Sequence, residues 1–267
     1  MNYTLNIRGR LLELAEPQVM GIVNVTPDSF HADSRAETPR AIAQKVEAMV
    51  GAGATLIDVG ACSTRPGSTP ATEREELERL SMALPVVRSA APHVALSVDT
   101  FRPSVARMAV EEWGADLVND VGEVQADRSD MFRMVARLGV PYVLTSHAAD
   151  MAGMLKGLAR DVQQLRDMGQ KDIIIDPGFG FGKTLEQNFA VMRDLEQLSL
   201  LELPVLVGVS RKRMVWQLLG SSPASALNGT TALNMMALER GALILRVHDV
   251  QEAAECVRLW KAVREEC

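Results

Sequence analysis

Residues 172–184 read DIIIDPGFGFGKT, and this stretch shows the unit on which the rest of the chain is built. The apolar run IIID is typical of a strand that is buried on both faces. Three glycines follow and would let the backbone approach a ligand closely, although a tight turn that merely needs glycine is the alternative. A phosphate-binding P-loop requires glycine five positions before Gly182, where this chain has Pro177. The stretch therefore predicts a strand-to-helix turn that borders a flat, polar-edged small molecule.

The same order of apolar run, polar loop and helical spacing recurs along the chain. Thr72 and Glu75 have the T-x-x-E spacing of a capping box ahead of one of these helices. Eight such units without a composition break indicate an α/β fold, a single (β/α)8 TIM-type barrel, with a doubly wound open sheet as the alternative. We expect residues 1–18 to form a hairpin that caps the barrel domain of residues 19–267. The eight apolar runs lie at 19–25, 55–60, 95–100, 116–121, 141–147, 172–178, 204–210 and 242–249.

The composition is that of a globular protein with a substantial core. Of the 267 residues 47% are hydrophobic and 23% are charged, and the net charge is -6. The excess of acidic residues argues against a broad surface for nucleic acid or for an anionic membrane. Three cysteines cannot all pair within the chain, which indicates a reducing compartment. The N-terminus lacks the apolar segment of a signal peptide and no run of about 18 apolar residues occurs, so we expect a cytoplasmic protein.

Polar side chains stand at the end of nearly every predicted strand, which is where barrel enzymes place their sites. A helix cap or a turn explains any one of them, but convergence from seven or eight loops is harder to explain in that way. Asp99, Asn119 and Asp176 are suited to the N–H edge of a nitrogen heterocycle. The donors suited to an anion such as phosphate are Arg65, Lys212, Arg246 and His248. We expect Lys212 or ligand N–H groups beside the buried carboxylate of Asp176.

Seven short motifs together resemble those of the dihydropteroate synthases, enzymes of the folate pathway. Each motif is weak alone, but seven in order are highly specific. The resemblance implies a transferase that joins 6-hydroxymethyl-7,8-dihydropterin diphosphate to 4-aminobenzoate, giving 7,8-dihydropteroate and pyrophosphate. It also implies bound Mg²⁺ and a homodimer. The motifs are MGIVNVTPDSF at 20–30, STRPG at 63–67, SVDT at 97–100, ND at 119–120, DPGFGFGK at 176–183, VSRK at 209–212 and RVHD at 246–249.

The resemblance further implies a role for each matched residue. Asn24 would bind Mg²⁺ and, with Arg246 and His248, the diphosphate. The pterin would be bound by Asp99, Asn119, Asp176, Gly180 and Lys212. The 4-aminobenzoate site would be formed by Thr64, Arg65, Pro66, Phe181 and Ser210. The residues implied in catalysis are Asp176, Lys212, Arg246, His248 and Arg65. Lys183 is expected to be a structural charge, or a charge outside direct contact with the ligand, rather than a phosphate ligand.

The sequence departs from the family pattern at three places. HADS, at residues 31–34, stands where the family commonly continues SDGG, and Cys62 precedes STRPG. The predicted strand at 141–147 ends in Thr-Ser-His rather than Met-His-Met, so we assign His147 no ligand. A pterin-binding methyltransferase domain is one alternative, but it would need neither STRPG nor RVHD. A catalytically silent paralogue, kept as a binding protein, is the other.

Overall fold

The computed structural model describes residues 3–26, 38–62, 70–122 and 127–264. Eight parallel strands within these ranges close into a barrel, and helices alternate with them along the chain. This confirms the predicted (β/α)8 fold, and the open sheet is excluded because the last strand pairs with the first strand of the barrel. The strands are β1 Thr4–Ile7, β2 Arg10–Glu13, β3 Gln18–Asn24, β4 Leu56–Gly60, β5 Ala95–Asp99, β6 Leu117–Asp120, β7 Tyr142–Thr145, β8 Ile173–Asp176, β9 Val205–Val207 and β10 Ala242–Val247. The helices are α1 Pro39–Gly51, α2 Glu73–Ala90, α3 Pro103–Glu111, α4 Ser129–Leu138, α5 Met151–Asp167, α6 Leu185–Arg193, α7 Arg213–Leu218, α8 Leu227–Glu239 and α9 Val250–Arg264, with a 3-10 helix at Leu195–Leu201.

Two of the helices begin with a capping box, which satisfies backbone N–H groups that the first turn leaves without a partner. The Glu75 N–H donates to the Thr72 hydroxyl at 3.3 Å, and the Thr72 N–H donates to the Glu75 carboxylate at 2.8 Å. The capping box predicted before α2 is therefore confirmed. Thr184 and Gln187 form the other one, which starts α6 directly after the glycine-rich stretch.

The hairpin of β1 and β2 packs against the amino-terminal end of the barrel. Its region contributes Leu5, Ile7 and Leu14 to a core that lies among residues near the starts of the strands. The strand residues of this core are Met20, Leu56, Ala95, Leu117, Val143, Ile174, Leu206 and Ile244. An apolar amino end leaves the carboxyl ends of the strands as the place for a polar site. The domain boundary at residue 18 stays a prediction.

The strand register brings polar residues to one level at the carboxyl end. Asn24 lies opposite Gly60, Gly60 lies opposite Asp99, and Asp99 lies opposite Asn119. Asp176 ends β8 further around the same barrel. Because neighbouring parallel strands end at the same rim, residues far apart in the chain share one mouth. In the parts of the chain that the structure describes, no helix combines the length and the apolar character needed to cross a membrane.

Candidate active site

Asp58 is a fully buried carboxylate on β4, two residues before the strand ends. Its Oδ1 accepts a hydrogen bond from Ser97 Oγ at 2.5 Å. Its Oδ2 accepts two more, from Asn119 Nδ2 at 3.0 Å and from Arg246 Nε at 2.6 Å. A buried carboxylate needs partners of this kind to offset the loss of water. No role was predicted for Asp58, although an aspartate within the apolar run TLIDVG signals that this position has polar partners.

Arg246 bridges two carboxylates at the mouth of the barrel. Its Nε bonds to Asp58, its Nη2 lies 2.6 Å from Asp99 Oδ2, and only 17% of its side chain is exposed. Burial on its own would lower the pKa of this guanidinium, but the charges of Asp58 and Asp99 raise that pKa above its ordinary value. Burial also raises the pKa of the Asp99 carboxyl to about 7, against the opposing effect of the Arg246 charge. Arg246 therefore stays positively charged. It lies where a more strongly charged anion could compete with the two carboxylates for its guanidinium.

Asp176 and Lys212 are oppositely charged groups whose charges act on each other, at the end of β8 and in the loop after β9. Asp176 is buried, and its Oδ1 accepts a hydrogen bond from the Gly178 N–H at 2.7 Å. Burial raises the pKa of the Asp176 carboxyl, and the Lys212 charge acts against this shift. Burial likewise lowers the pKa of the Lys212 ammonium to about 8, which the Asp176 charge opposes. The Lys212 charge therefore acts on Asp176 at a distance, while the Lys212 ammonium itself donates to the Phe179 carbonyl.

Gly180 allows Lys212 to lie across the glycine-rich stretch. Its φ is +83°, and a Cβ at this position would stand 3.2 Å from Lys212 Cδ. Lys212 Nζ donates to the Phe179 carbonyl and lies 4.7 Å from the centre of the Phe181 ring. The Phe181 ring also meets the His147 ring edge-on, with 5.8 Å between the ring centres. Glycine is needed at 180 both for its left-handed backbone and for the close approach of Lys212.

Hydrogen bonds join the motifs VSRK and RVHD. Ser210 Oγ accepts one from the backbone N–H of His248 at 3.1 Å. Arg211, at a φ of +53°, donates to both carboxylate oxygens of Asp249, at 2.8 and 2.9 Å. This two-point pair fixes the loop after β9 against the start of α9. The two motifs therefore form one unit at the mouth.

Lys183 faces the protein and not the mouth. Its Nζ donates to the Gly178 carbonyl at 2.9 Å and to the Ser146 carbonyl at 3.3 Å. Burial lowers the pKa of this ammonium to about 8. The contacts tie the chain after β7 to the loop after β8, as expected of a structural charge.

The predicted site residues that the structure describes all lie on strand ends or loops at the carboxyl end of the barrel. The loop residues Thr64, Arg65 and Pro66, predicted for 4-aminobenzoate, lie outside the described residues. His147, which was assigned no ligand, contacts Phe181, and burial lowers the pKa of its imidazole.

Asn24 is the predicted ligand of Mg²⁺, and its surroundings test whether such an ion would fit. The point where a Cβ would stand on neighbouring Gly60 lies 3.5 Å from Asn24 Oδ1 and 3.6 Å from Asp99 Oδ2. Two side-chain oxygens therefore lie within van der Waals contact of this point. The described residues contain no cluster of three or more His, Cys, Asp and Glu side chains that could hold the ion alone. Since Mg²⁺ usually takes one or two protein oxygens together with water and substrate phosphates, an amide oxygen such as Asn24 Oδ1 fits an ion carried on a phosphate group.

Comparisons of the sequence and of the structure with known proteins point to the same family. Residues 20–248 match the model of a family described as pterin binding enzyme. The chain is 35% identical over 272 residues to the dihydropteroate synthase of Escherichia coli strain K12, with 96% of this chain and 94% of that protein covered. A solved structure of Xanthomonas albilineans dihydropteroate synthase with 4-aminobenzoic acid aligns with a TM-score of 0.90 at 38% identity, and both chains are covered completely. The Coxiella burnetii dihydropteroate synthase in complex with pteroic acid aligns with a TM-score of 0.89 at 32% identity, covering 98% of this chain and 99% of that one.

Proposed function

The chain belongs to the dihydropteroate synthases, a family of pterin-binding transferases, and from that premise we propose how its barrel mouth works. The reaction joins 6-hydroxymethyl-7,8-dihydropterin diphosphate to 4-aminobenzoate and gives 7,8-dihydropteroate and pyrophosphate. One observation carries the proposal: hydrogen-bond acceptors and two cationic side chains converge at the carboxyl end of the barrel. The acceptors are Asp99, Asn119 and Asp176, and the cations are Arg246 and Lys212.

The acceptors bind the pterin ring. Its amino and N–H groups donate to Asp99, Asn119 and Asp176, of which Asn119 and Asp176 are buried. Hydrogen bonds are stronger in such surroundings than in water, so few contacts are needed to orient the ring. The backbone of Gly180 brings Lys212 across the stretch where the ring lies, and the aliphatic stem of the lysine packs on the ring.

The donors at the mouth bind the diphosphate. A diphosphate carries more negative charge than a carboxylate, so it can draw the Nη2 group of Arg246 away from Asp99. The Asp99 oxygen that is released then becomes available to the pterin. His248 adds a second donor in the loop after β10. The two halves of the substrate are therefore coupled through one guanidinium.

Asn24 would hold Mg²⁺ together with phosphate oxygens of the substrate. When bound, the ion supplies positive charge that neutralises the diphosphate as a leaving group. The side-chain oxygen of Asn24, which lies near the Asp99 carboxylate beside Gly60, supports this assignment.

The side chains of the site stabilise the charges that develop during the reaction and form no covalent intermediate with the substrate. The C–O bond between the pterin CH2 carbon and the diphosphate breaks, and its electron pair leaves with pyrophosphate. The positive charge left behind spreads into the pterin ring, where the Asp176 carboxylate stabilises it, while Arg246 and His248 neutralise the leaving group. The amino nitrogen of 4-aminobenzoate then bonds to the CH2 carbon and gives its extra proton to water.

The second substrate binds at the outer edge of the mouth. Phe181 provides an apolar wall whose position is fixed by its contacts with Lys212 and His147. Ser210 lines the same space. Thr64, Arg65 and Pro66 would close over 4-aminobenzoate, a role that the family resemblance supports.

A homodimer in the cytoplasm is the proposed working form. Leu218, Leu219, Leu259 and Val263, on or next to α7 and α9, are each more than half exposed. Contact with a second copy would remove this apolar surface from water. Sedimentation velocity at micromolar concentration is expected to show a dimer, and a monomer would contradict this part of the proposal.

Calorimetry followed by a release assay tests the proposed function. The protein is titrated with the pterin diphosphate in the presence of Mg²⁺, and 4-aminobenzoate is then added while pyrophosphate is measured. Binding followed by release that depends on 4-aminobenzoate is expected. Tight binding without release would indicate a catalytically silent protein instead.

A further inference from the structure

The side-chain amide of Asn119 has a fixed orientation. Its Nδ2 lies 3.0 Å from Asp58 Oδ2, and the same oxygen accepts a hydrogen bond from Arg246 Nε at 2.6 Å. A carboxylate oxygen that already accepts from a guanidinium cannot donate to a neighbour. The reverse orientation would place two acceptor oxygens against each other. Asp58 therefore requires the nitrogen of the Asn119 amide to face its own carboxylate, inside the barrel.

The other end of the same amide is a buried acceptor. Asn119 is 1% exposed, and its Oδ1 accepts no hydrogen bond from any residue in the described parts of the chain. Such an oxygen has lost its hydrogen bonds to water without gaining one from the protein, so its presence calls for an explanation. A ligand that donates a hydrogen bond supplies the missing partner. The remaining N–H of Nδ2 is then a donor directly beside that acceptor.

We propose that Asp58 is a specificity-determining positioning residue, which fixes the Asn119 amide so that the site selects rings with an amino group next to an unprotonated ring nitrogen. The inference rests on the proposed function and deepens it. Asp58 acts through Asn119 and makes no contact with the ring itself. The pterin edge N=C–NH2 offers an acceptor beside a donor, which is the complement of an amide held in this way. A lumazine has HN–C=O at the same edge and reverses both positions.

The hydrogen bonds around Asp58 indicate which substitutions would release the amide. Asp58→Asn can keep an oxygen at the Oδ2 position, because Arg246 Nε still donates there, and can turn its NH2 toward Ser97, whose hydroxyl also accepts. Asp58→Ala leaves space for water, which both donates and accepts and so imposes no orientation. Ser97→Ala is the matched control, because it removes a bond to Asp58 without touching Asn119.

The experiment measures the affinity ratio for two rings, 6-hydroxymethylpterin and 6-hydroxymethyllumazine, by calorimetry. Neither ligand carries a diphosphate, so a change in diphosphate binding by Arg246 does not enter the ratio. The wild-type protein is expected to prefer the pterin by roughly 10- to 100-fold, since reversed contacts leave buried groups unpaired. Asp58→Asn and Ser97→Ala should keep this ratio within about threefold, whereas Asp58→Ala should bring it close to unity.

The outcomes separate this inference from the proposed function. If Asp58→Ala binds both rings more weakly by the same factor, so that the ratio is kept, Asp58 has only a structural role and the inference is overturned. If the wild-type protein shows no preference for the pterin, the proposed function is contradicted as well. Circular dichroism melting checks each variant. Where Asp58→Ala does not fold, Asp58→Ser replaces it, because a hydroxyl that both donates and accepts also cannot fix the amide, and the same loss of ratio is expected.

Discussion

Replacing Arg246 by alanine removes the guanidinium that bridges Asp58 and Asp99. In the native protein its Nε and Nη2 each donate at 2.6 Å, so the substitution leaves two carboxylates without their charged partner. Removing one member of a buried ion pair costs about 3–5 kcal/mol in the free energy of unfolding. Because 17% of the Arg246 side chain is exposed, water can enter, and we expect a loss of about 3 kcal/mol. For a chain of this size that lowers the melting temperature by about 6–12 °C, and the protein stays folded at 25 °C.

The same substitution should affect catalysis more strongly than stability. Without this positive charge on the leaving pyrophosphate, kcat/KM is expected to fall by about 10²–10³. Arg246→Lys is the matched control, because it keeps a charge without the planar fork, and its loss should be only about tenfold. Activity is measured as pyrophosphate release with both substrates and Mg²⁺, and stability as thermal melting of the same samples. An unchanged kcat/KM in folded Arg246→Ala would remove Arg246 from the mechanism.

The loss of unfolding free energy in Arg246→Ala should also depend on pH. Burial already raises the pKa of Asp99 to about 7, above its unfolded value of about 3.9, so this group destabilises the folded state increasingly as pH rises toward 7. Without the Arg246 charge that pKa rises further, and the additional loss appears above pH 7. The gap in unfolding free energy between wild type and Arg246→Ala should therefore be wider at pH 8.5 than at pH 6. An equal gap at both values would refute the electrostatic reasoning.

Three further outcomes are expected. The wild-type kcat/KM should fall as pH rises through about 8, where the Lys212 ammonium loses its proton. Lys212→Arg should move that fall to higher pH in a pH–rate profile. A fall at the same pH in this variant would contradict its assignment to the Lys212 ammonium. Gly180→Ala should lower kcat/KM about tenfold through the 3.2 Å contact with Lys212. Gly182→Ala, also at positive φ but in open space, should lower mainly the melting temperature. Equal effects of the two variants on kcat/KM would count against this role for Gly180. The pKa of Lys183 is about 8 in the folded state and about 10.4 in the unfolded state. As pH rises between these two values, urea unfolding should show wild type gaining stability relative to Lys183→Met. A difference in unfolding free energy that does not change with pH would contradict the burial of the Lys183 ammonium.

Much of the fold could be predicted because the strand signal is local. Each apolar run is continuous, as expected for strands covered on both faces, and each is followed by turn and capping residues such as Thr72 and Glu75. Closure of the sheet could not be decided in that way. It depends on pairing between β10 and β3, for example of Arg246 with Met20, and no local pattern encodes a contact between strands so far apart in sequence.

The site could be predicted in its members but not in its connections. Asp99, Asn119 and Asp176 stand out because polar residues at the ends of apolar runs meet at one rim. The hydrogen bonds of Asp58 join residues that are 39, 61 and 188 positions away in the chain, and only the closed barrel brings them together. The sequence signal for Asp58 was an aspartate within a run of apolar residues.

Formation of product by the purified protein tests the central claim most directly. The protein is incubated with 6-hydroxymethyl-7,8-dihydropterin diphosphate, 4-aminobenzoate and Mg²⁺, and dihydropteroate and pyrophosphate are quantified in the same sample by mass spectrometry and an enzymatic assay. We expect the two products in equal amounts, with neither formed when 4-aminobenzoate is left out. Pyrophosphate without dihydropteroate, or binding of the pterin diphosphate with no product at all, would contradict the claim that this barrel mouth catalyses the condensation.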